Sequence, residues 1–111
     1  MLNVRSLLSS LRDKKRYVVY RVASPTPVSA QATQEAVRDA CQVLLGNYGM
    51  AKANVSFLED WQNQKGILRV NRAYVDYIKS AFLFIRTIAG HPASVSSVTV
   101  SGILARARSE L

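Results

Sequence analysis

The run Lys65-Gly-Ile-Leu-Arg-Val-Asn-Arg-Ala-Tyr-Val-Asp-Tyr-Ile-Lys-Ser-Ala-Phe-Leu-Phe-Ile85 contains a turn, a strand, a helix start and a helix. Lys65-Gly66 closes the turn. Ile67 to Asn71 reads as a strand with Leu68 and Val70 facing inward and Arg69 pointing away. Asn71 is suited to a helix N-cap, because its side-chain oxygen accepts from the free amides of the next turn. After it, Val75, Ile78, Phe82 and Ile85 recur at spacings of three and four, which predicts a helix from Arg72 to about Ile88 with one apolar face. Gly90 and Pro92 stop it. Arg69 and Arg72 bracket the strand-to-helix junction. Guanidinium groups held on regular structure beside free backbone amides suit phosphate better than a core.

Working outward toward the N-terminus, Ala53 to Glu59 predicts a strand with Val55 and Phe57 inward and a polar outer side that suits a sheet edge. Asp60 to Lys65 then forms a hairpin loop carrying Trp61. Before it, Ser29 or Thr33 starts a helix running to Leu45, with Thr33, Val37, Ala40, Cys41 and Leu44 on its inner stripe. Gly46 is placed as its C-terminal cap and Asn47-Tyr-Gly-Met as a turn. Ser24-Pro-Thr-Pro is a stretch no helix crosses. Tyr17 to Ala23 is rich in β-branched and aromatic residues and reads as a strand, with Val18, Tyr20 and Val22 on one face and Tyr17, Val19 and Arg21 on the other. Residues 3–13 place Val4, Leu7, Leu8 and Leu11 on one side of a short helix. Toward the C-terminus, Val95 to Ser101 is a strand with Val98 and Val100 inward, and Ile103 to Ser109 a last helical turn or two.

The order is β-α-β-β-α-β within one 111-residue domain. Residues 1–14 form an N-terminal helix and basic arm, 15–101 the core and 102–111 a tail. Right-handed crossovers close these elements most simply into an α+β, ferredoxin-like or RNA-recognition-motif-like sandwich. Its four-stranded antiparallel sheet carries two long helices on one face, and a short N-terminal helix is added. The first and third strands are central. Their second face shows Tyr17, Val19, Arg21, Ile67 and Arg69, too apolar to stand bare in water, so a terminal helix, a partner or stacked bases should cover it.

Fifteen basic residues against seven acidic ones give a net charge of +8, which points to a polyanionic partner. The charge is uneven. Residues 1–25 carry +5 and residues 61–90 carry +4, whereas residues 31–60, with Glu35, Asp39, Glu59 and Asp60 against Arg38 and Lys52, carry −2. Two different surfaces are implied, one for a polyanion and one not. A single cysteine, Cys41, allows no disulfide framework and fits a reducing, cytoplasmic setting. The most apolar window, Ala81 to Gly90, is too short to span a bilayer and is broken by Arg86.

No pattern for a hydrolase nucleophile, a zinc protease or a phosphate-cradling glycine loop occurs. His91, the one histidine, sits between Gly90 and Pro92 as a loop residue without an acid-base partner. Glu59-Asp60 reads as a solvated loop pair, and Asp76 as one half of an intrahelical pair with Lys79. Trp61 suits an interface anchor. The third strand lacks the aromatic-rich pattern of base-stacking sheets, so phosphate contact from basic side chains is favoured over sequence reading.

Three stretches, Arg16-Tyr-Val-Val-Tyr-Arg-Val22, Lys65-Gly-Ile-Leu-Arg-Val-Asn-Arg-Ala-Tyr-Val75 and Val98-Thr-Val-Ser-Gly-Ile103, together with the Leu45-Gly-Asn-Tyr-Gly49 turn, resemble the archaeal ribonuclease P protein component two family. The resemblance spans residues 15 to about 108, and Gly-Ile-Leu-Arg-Val-Asn-Arg is its specific part. It implies a non-catalytic, RNA-binding protein subunit of an endoribonuclease that removes the 5′ leader from precursor tRNA. It implies an RNA catalyst that uses magnesium, and no cofactor on this chain. It implies ribonuclease P RNA, precursor tRNA and a barrel-shaped subunit, component three, as partners, with self-association into a two-plus-two complex and no membrane. Carried onto this sequence, RNA contact falls on Arg16, Lys65, Arg69 and Arg72, then on Arg21, Arg106 and Arg108. Tyr17, Val19 and Trp61 are placed at a partner interface. Two other readings stay open at this point: a ribosomal-type RNA-binding module, and a small-molecule-sensing regulatory domain of the same fold.

Overall fold

The computed structural model describes residues 15–111; the helix expected over residues 3–13 lies outside them. Strand β1 (Lys15–Ala23) is followed by helix α1 (Ala30–Ala53), strands β2 (Ser56–Gln62) and β3 (Lys65–Asn71), a 3-10 turn (Arg72–Tyr74) and helix α2 (Val75–Phe82). The short strands β4 (Thr87–Ile88) and β5 (His91–Pro92), strand β6 (Ser94–Ser101) and helix α3 (Leu104–Arg108) complete the chain. The main sheet has the order β2-β3-β1-β6, and each of its neighbouring strands runs antiparallel. This is the expected four-stranded sheet with the first and third strands central.

Alternation in β1 sorts the sheet into two faces. Val18, Tyr20 and Val22 join Leu68 and Val70 of β3 on the inner face. Val37 and Cys41 of α1 and Ile78, Ala81 and Phe82 of α2 pack on them. Each fully buried Val, Leu, Ile or Phe side chain contributes about 1.5–3 kcal/mol, so this layer holds the helices on the sheet. Tyr20 is its aromatic centre, with ring centroids 6.4, 6.5 and 6.0 Å from Phe57, Trp61 and Phe82.

The outer face has its own smaller core. Val19 and Ile67 lie directly opposite each other and are buried with Ala107, while Tyr17, Leu58, Leu104 and Leu111 pack around them. The outer apolar face, expected to need a cover, is covered by the chain's own C-terminal helix, one of the three covers the sequence allowed.

Several boundaries move. The first helical run of α1 ends at Gly46, as expected. That residue adopts φ 70°, ψ 178° as a kink, and the helix resumes through the stretch expected as a turn. It stops at Asn54, whose left-handed φ of 52° lets its N–H donate to the Met50 carbonyl. Helix α2 ends at Phe82, not near Ile88. Leu83, Phe84 and Ile85 follow in i→i−3 turns, and Ala89 and Gly90, at φ 52° and 80°, form the tip of the β4–β5 hairpin. Gly90 is thus a hairpin residue, not a helix stop.

Trp61 lies within β2, and the hairpin turn is Asn63-Gln64, both at positive φ (53° and 59°), as a two-residue turn of matching twist requires. Gln64 also clamps the β1–α1 connection by exchanging two side-chain hydrogen bonds with the Val28 backbone. In β6 a register shift sets Thr99 opposite Val19 and Ser97 opposite Tyr20, skipping Val98. Val95 and Val100 consequently face the core, and Val98, expected inward, is exposed.

Candidate nucleic-acid interface

The register of β1 against β3 decides which basic residues share a surface. Opposite residues in an antiparallel pair point to the same face. Lys15 lies across from Asn71, Tyr17 from Arg69, Val19 from Ile67 and Arg21 from Lys65. The outer face of the two central strands therefore carries Lys15, Arg21, Lys65 and Arg69, and α3 lies over its middle with Arg106 and Arg108 exposed. Lys15 carries no distinguishing motif; only its alternation with Tyr17, Val19 and Arg21 marks it as part of this face.

The Arg21–Lys65 pair places two cations directly across from each other, an arrangement that costs stability in isolation. Lys65 is eased by donating from Nζ to the Glu110 carbonyl at 3.0 Å. Arg21 is exposed. Toward the other end, Arg69 is half-buried between Tyr17 of β1 and Ser56 of β2. Its Nε is buried without a hydrogen-bond partner among the described residues.

Arg72 is exposed at the first position of the 3-10 turn. Asn71 caps that turn as expected, its Oδ1 accepting from the Ala73 amide at 3.0 Å. Neither Arg69 nor Arg72 enters an ion pair among the described residues.

The remaining candidates separate from this group. Arg16 lies opposite Val70, so by alternation it belongs to the helix side of β1. Its guanidinium donates to the Lys15 carbonyl at 3.0 Å and lies against Gly102. Arg108 donates from Nε to Asp60 Oδ2 at 3.0 Å, so its charge is partly answered within the chain. That pair also gives Asp60, expected as a solvated loop acid, a structural partner. Val19, assigned to a partner interface, is fully buried by the chain's own α3, and Trp61 packs on the Tyr20 core.

No ion pair between Asp76 and Lys79 is present among the described residues. His91 is exposed in the small hairpin. Among the described residues no group of three His, Cys, Asp or Glu side chains is placed to hold a metal, and no helix is long and apolar enough to cross a membrane.

Residues 16–111 match the family described as Rpp14/Pop5. The chain belongs to the Rpp14/Pop5 family. Among relatives of this Rpp14/Pop5 chain is ribonuclease P protein component 2 of Pyrococcus furiosus, 33% identical over 103 residues, which cover 92% of this chain and 86% of the relative. The protein of the same name from Methanocaldococcus jannaschii is 30% identical over 105 residues, covering 95% and 78%. That from Methanococcus aeolicus is 29% identical, covering 95% and 77%. A chain of the cryo-EM structure of yeast ribonuclease MRP superposes with a TM-score of 0.65 at 20% identity, covering 82% of this chain and 76% of that one. At that identity the likeness speaks for the fold.

Proposed function

We propose that this chain is a protein subunit of ribonuclease P that binds the enzyme's RNA through the outer face of β1 and β3 and the junction at Arg72. One observation carries the reading: Arg21 and Lys65 stand directly opposite each other on that face. Such a like-charge pair is unfavourable alone and becomes favourable against closely spaced phosphates. Lys15, Arg69, Arg72 and Arg106 extend the same surface. Contacts of this kind fix position on folded RNA without reading sequence.

In this role no side chain of the protein reacts. The RNA, with magnesium, removes the 5′ leader of precursor tRNA. The protein neutralises phosphates that would otherwise repel one another, so the RNA core keeps its shape with less magnesium. A barrel-shaped second subunit, component three, and a second copy of this chain complete the assembly.

Reconstitution tests this. Adding the chain and the barrel-shaped subunit to the RNA subunit should raise leader cleavage at limiting magnesium, with a smaller gain as magnesium increases. An unchanged rate at every magnesium concentration contradicts the reading. Retention of large ribosomal RNA in preference to ribonuclease P RNA would favour a ribosomal role.

A further inference from the structure

Two exposed tyrosines stand on the helix layer, and neither the core nor the basic sheet face uses them. Tyr48, on the run of α1 beyond the Gly46 kink, is 73% exposed, and Tyr77, in α2, is 51% exposed. A cation links their surroundings. Lys52 follows Tyr48 by four residues, and its Nζ lies 4.7 Å from the Tyr48 ring centroid. The Tyr48 phenol first, and then that of Tyr74, raises the pKa of the Lys52 ammonium, so Lys52 lies close to both. Tyr74 in turn stands 5.6 Å from Tyr77, centroid to centroid, with the rings inclined by 39°. The series Tyr48, Lys52, Tyr74, Tyr77 therefore bridges the end of α1 and the start of α2.

Pairs three and four residues apart support their own helices. That gain does not require two rings to face water, nor the pairs of two helices to meet. Exposed large side chains grouped this way mark an interaction site. Charge narrows the occupant. The two stretches involved, residues 47–54 and 72–79, hold Lys52, Arg72 and Lys79 against one acid, Asp76. All four are exposed, and none enters an ion pair among the described residues. The balance suits an anion, and the rings suit a flat π-face. A nucleotide joins the two, with a phosphate for the ammonium and a base for the phenol ring. An acidic polypeptide brings the charge without a stacking face at each step. The cluster is also continuous with the proposed phosphate surface, because Arg72 and Tyr74 are the two ends of one 3-10 turn.

We propose that Tyr48 and Tyr77, with Lys52 between them, hold unpaired nucleotides of RNA, each ring stacking a base and the ammonium contacting a phosphate. The inference rests on the reading of the chain as an RNA-binding subunit and adds a second kind of contact to it. The outer sheet face grips phosphates of folded RNA, and the tyrosines take a single-stranded segment that leaves it past Arg72. Stacking of this kind accepts any base.

Filter binding of the full chain to two probes of equal length, an oligoadenylate and the same ribose-phosphate chain without bases, separates stacking from charge. The wild-type chain should bind the oligoadenylate at least about fivefold more tightly. Tyr48→Ala with Tyr77→Ala alters only exposed positions, so the core stays intact. This pair should abolish the preference and leave affinity for the baseless chain within about twofold, whereas Tyr48→Phe with Tyr77→Phe should keep the preference. Lys52→Ala should weaken both probes alike and flatten the salt slope by about 0.7. Equal binding of the two probes by the wild-type chain overturns the proposal, as does a preference that survives in the alanine pair. A phenylalanine pair that loses the preference as fully as the alanine pair also overturns it, since the ring faces would then not make the site. If any of these occurs while the wild-type chain still binds ribonuclease P RNA, the stacking site falls alone. A wild-type chain that binds neither that RNA nor either probe overturns the RNA-binding reading together with it.

Discussion

Asp60 accepts a hydrogen bond from the Nε of Arg108 at 3.0 Å, joining residues 48 apart in the chain. The pair ties helix α3 to the edge strand β2 above the Val19–Ile67 cluster. Both partners are accessible, at 53% for Arg108 and 23% for Asp60, so the bridge contributes only about 0.2–1 kcal/mol. Asp60→Asn should therefore lower stability by no more than about 1 kcal/mol in urea unfolding. It also frees a guanidinium on the proposed RNA side, so RNA affinity at low salt should rise. A fall in affinity would mean that Arg108 must be held by Asp60 in order to act.

Gly66 and Tyr20 also lie opposite each other, on the inner face. A Cβ at position 66 would stand 2.5 Å from the Tyr20 hydroxyl and 3.1 Å from Trp61 Cε3. The glycine is there because the tyrosine ring lies over its backbone. Gly66→Ala should destabilise by about 1–3 kcal/mol through overpacking.

The Tyr20 hydroxyl is buried with no hydrogen-bond partner among the described residues, and burial pushes its pKa far above the ordinary phenol value. Tyr20→Phe removes an unsatisfied polar group, so it should leave stability unchanged or raise it by about 0.5–1 kcal/mol. A loss above about 1 kcal/mol in the same unfolding assay would reveal a partner for that hydroxyl.

Cys41 is fully buried between α1 and the sheet, and burial pushes its thiol up from 9.0 to about 11. The fold thus favours the neutral thiol. Its contribution is complete below the unfolded thiol's pKa and declines as the pH rises through about 11. The stability difference between the wild-type chain and Cys41→Ala should be constant up to about pH 8 and shift against the wild type toward pH 11. A difference independent of pH in that window contradicts this placement of the thiol.

Most of the architecture was legible because binary patterns were clean. Val18, Tyr20 and Val22 alternate with Tyr17, Val19 and Arg21, and the two sets separate onto the two faces of the sheet. Asn71 and Ser29 had the chemistry of caps, and both act as caps. Glycines were read only in part. Gly46 breaks the helix, as expected, but a second helical run carries the chain on to a left-handed terminus at Asn54. Gly66 looked like part of a turn and is a strand residue required by Tyr20 across the sheet, a contact no local pattern encodes. The Val98 bulge was hidden for a similar reason, since it is set by the pairing with β1. For the site, net charge indicated a polyanion, but only the β1–β3 register shows that Lys15, Arg21, Lys65 and Arg69 share a face while Arg16 does not.

The central claim is that cations on this face and at the Arg72 junction each hold an RNA phosphate. The most direct measurement is the affinity for ribonuclease P RNA as a function of salt, for the wild-type chain and for Arg69→Ala with Arg72→Ala. Each lost contact removes about 0.7–0.9 from the slope of log affinity against log salt, so the double variant should bind more weakly and flatten the slope by about 1.4–1.8. A double variant with unchanged affinity and unchanged slope would contradict the account.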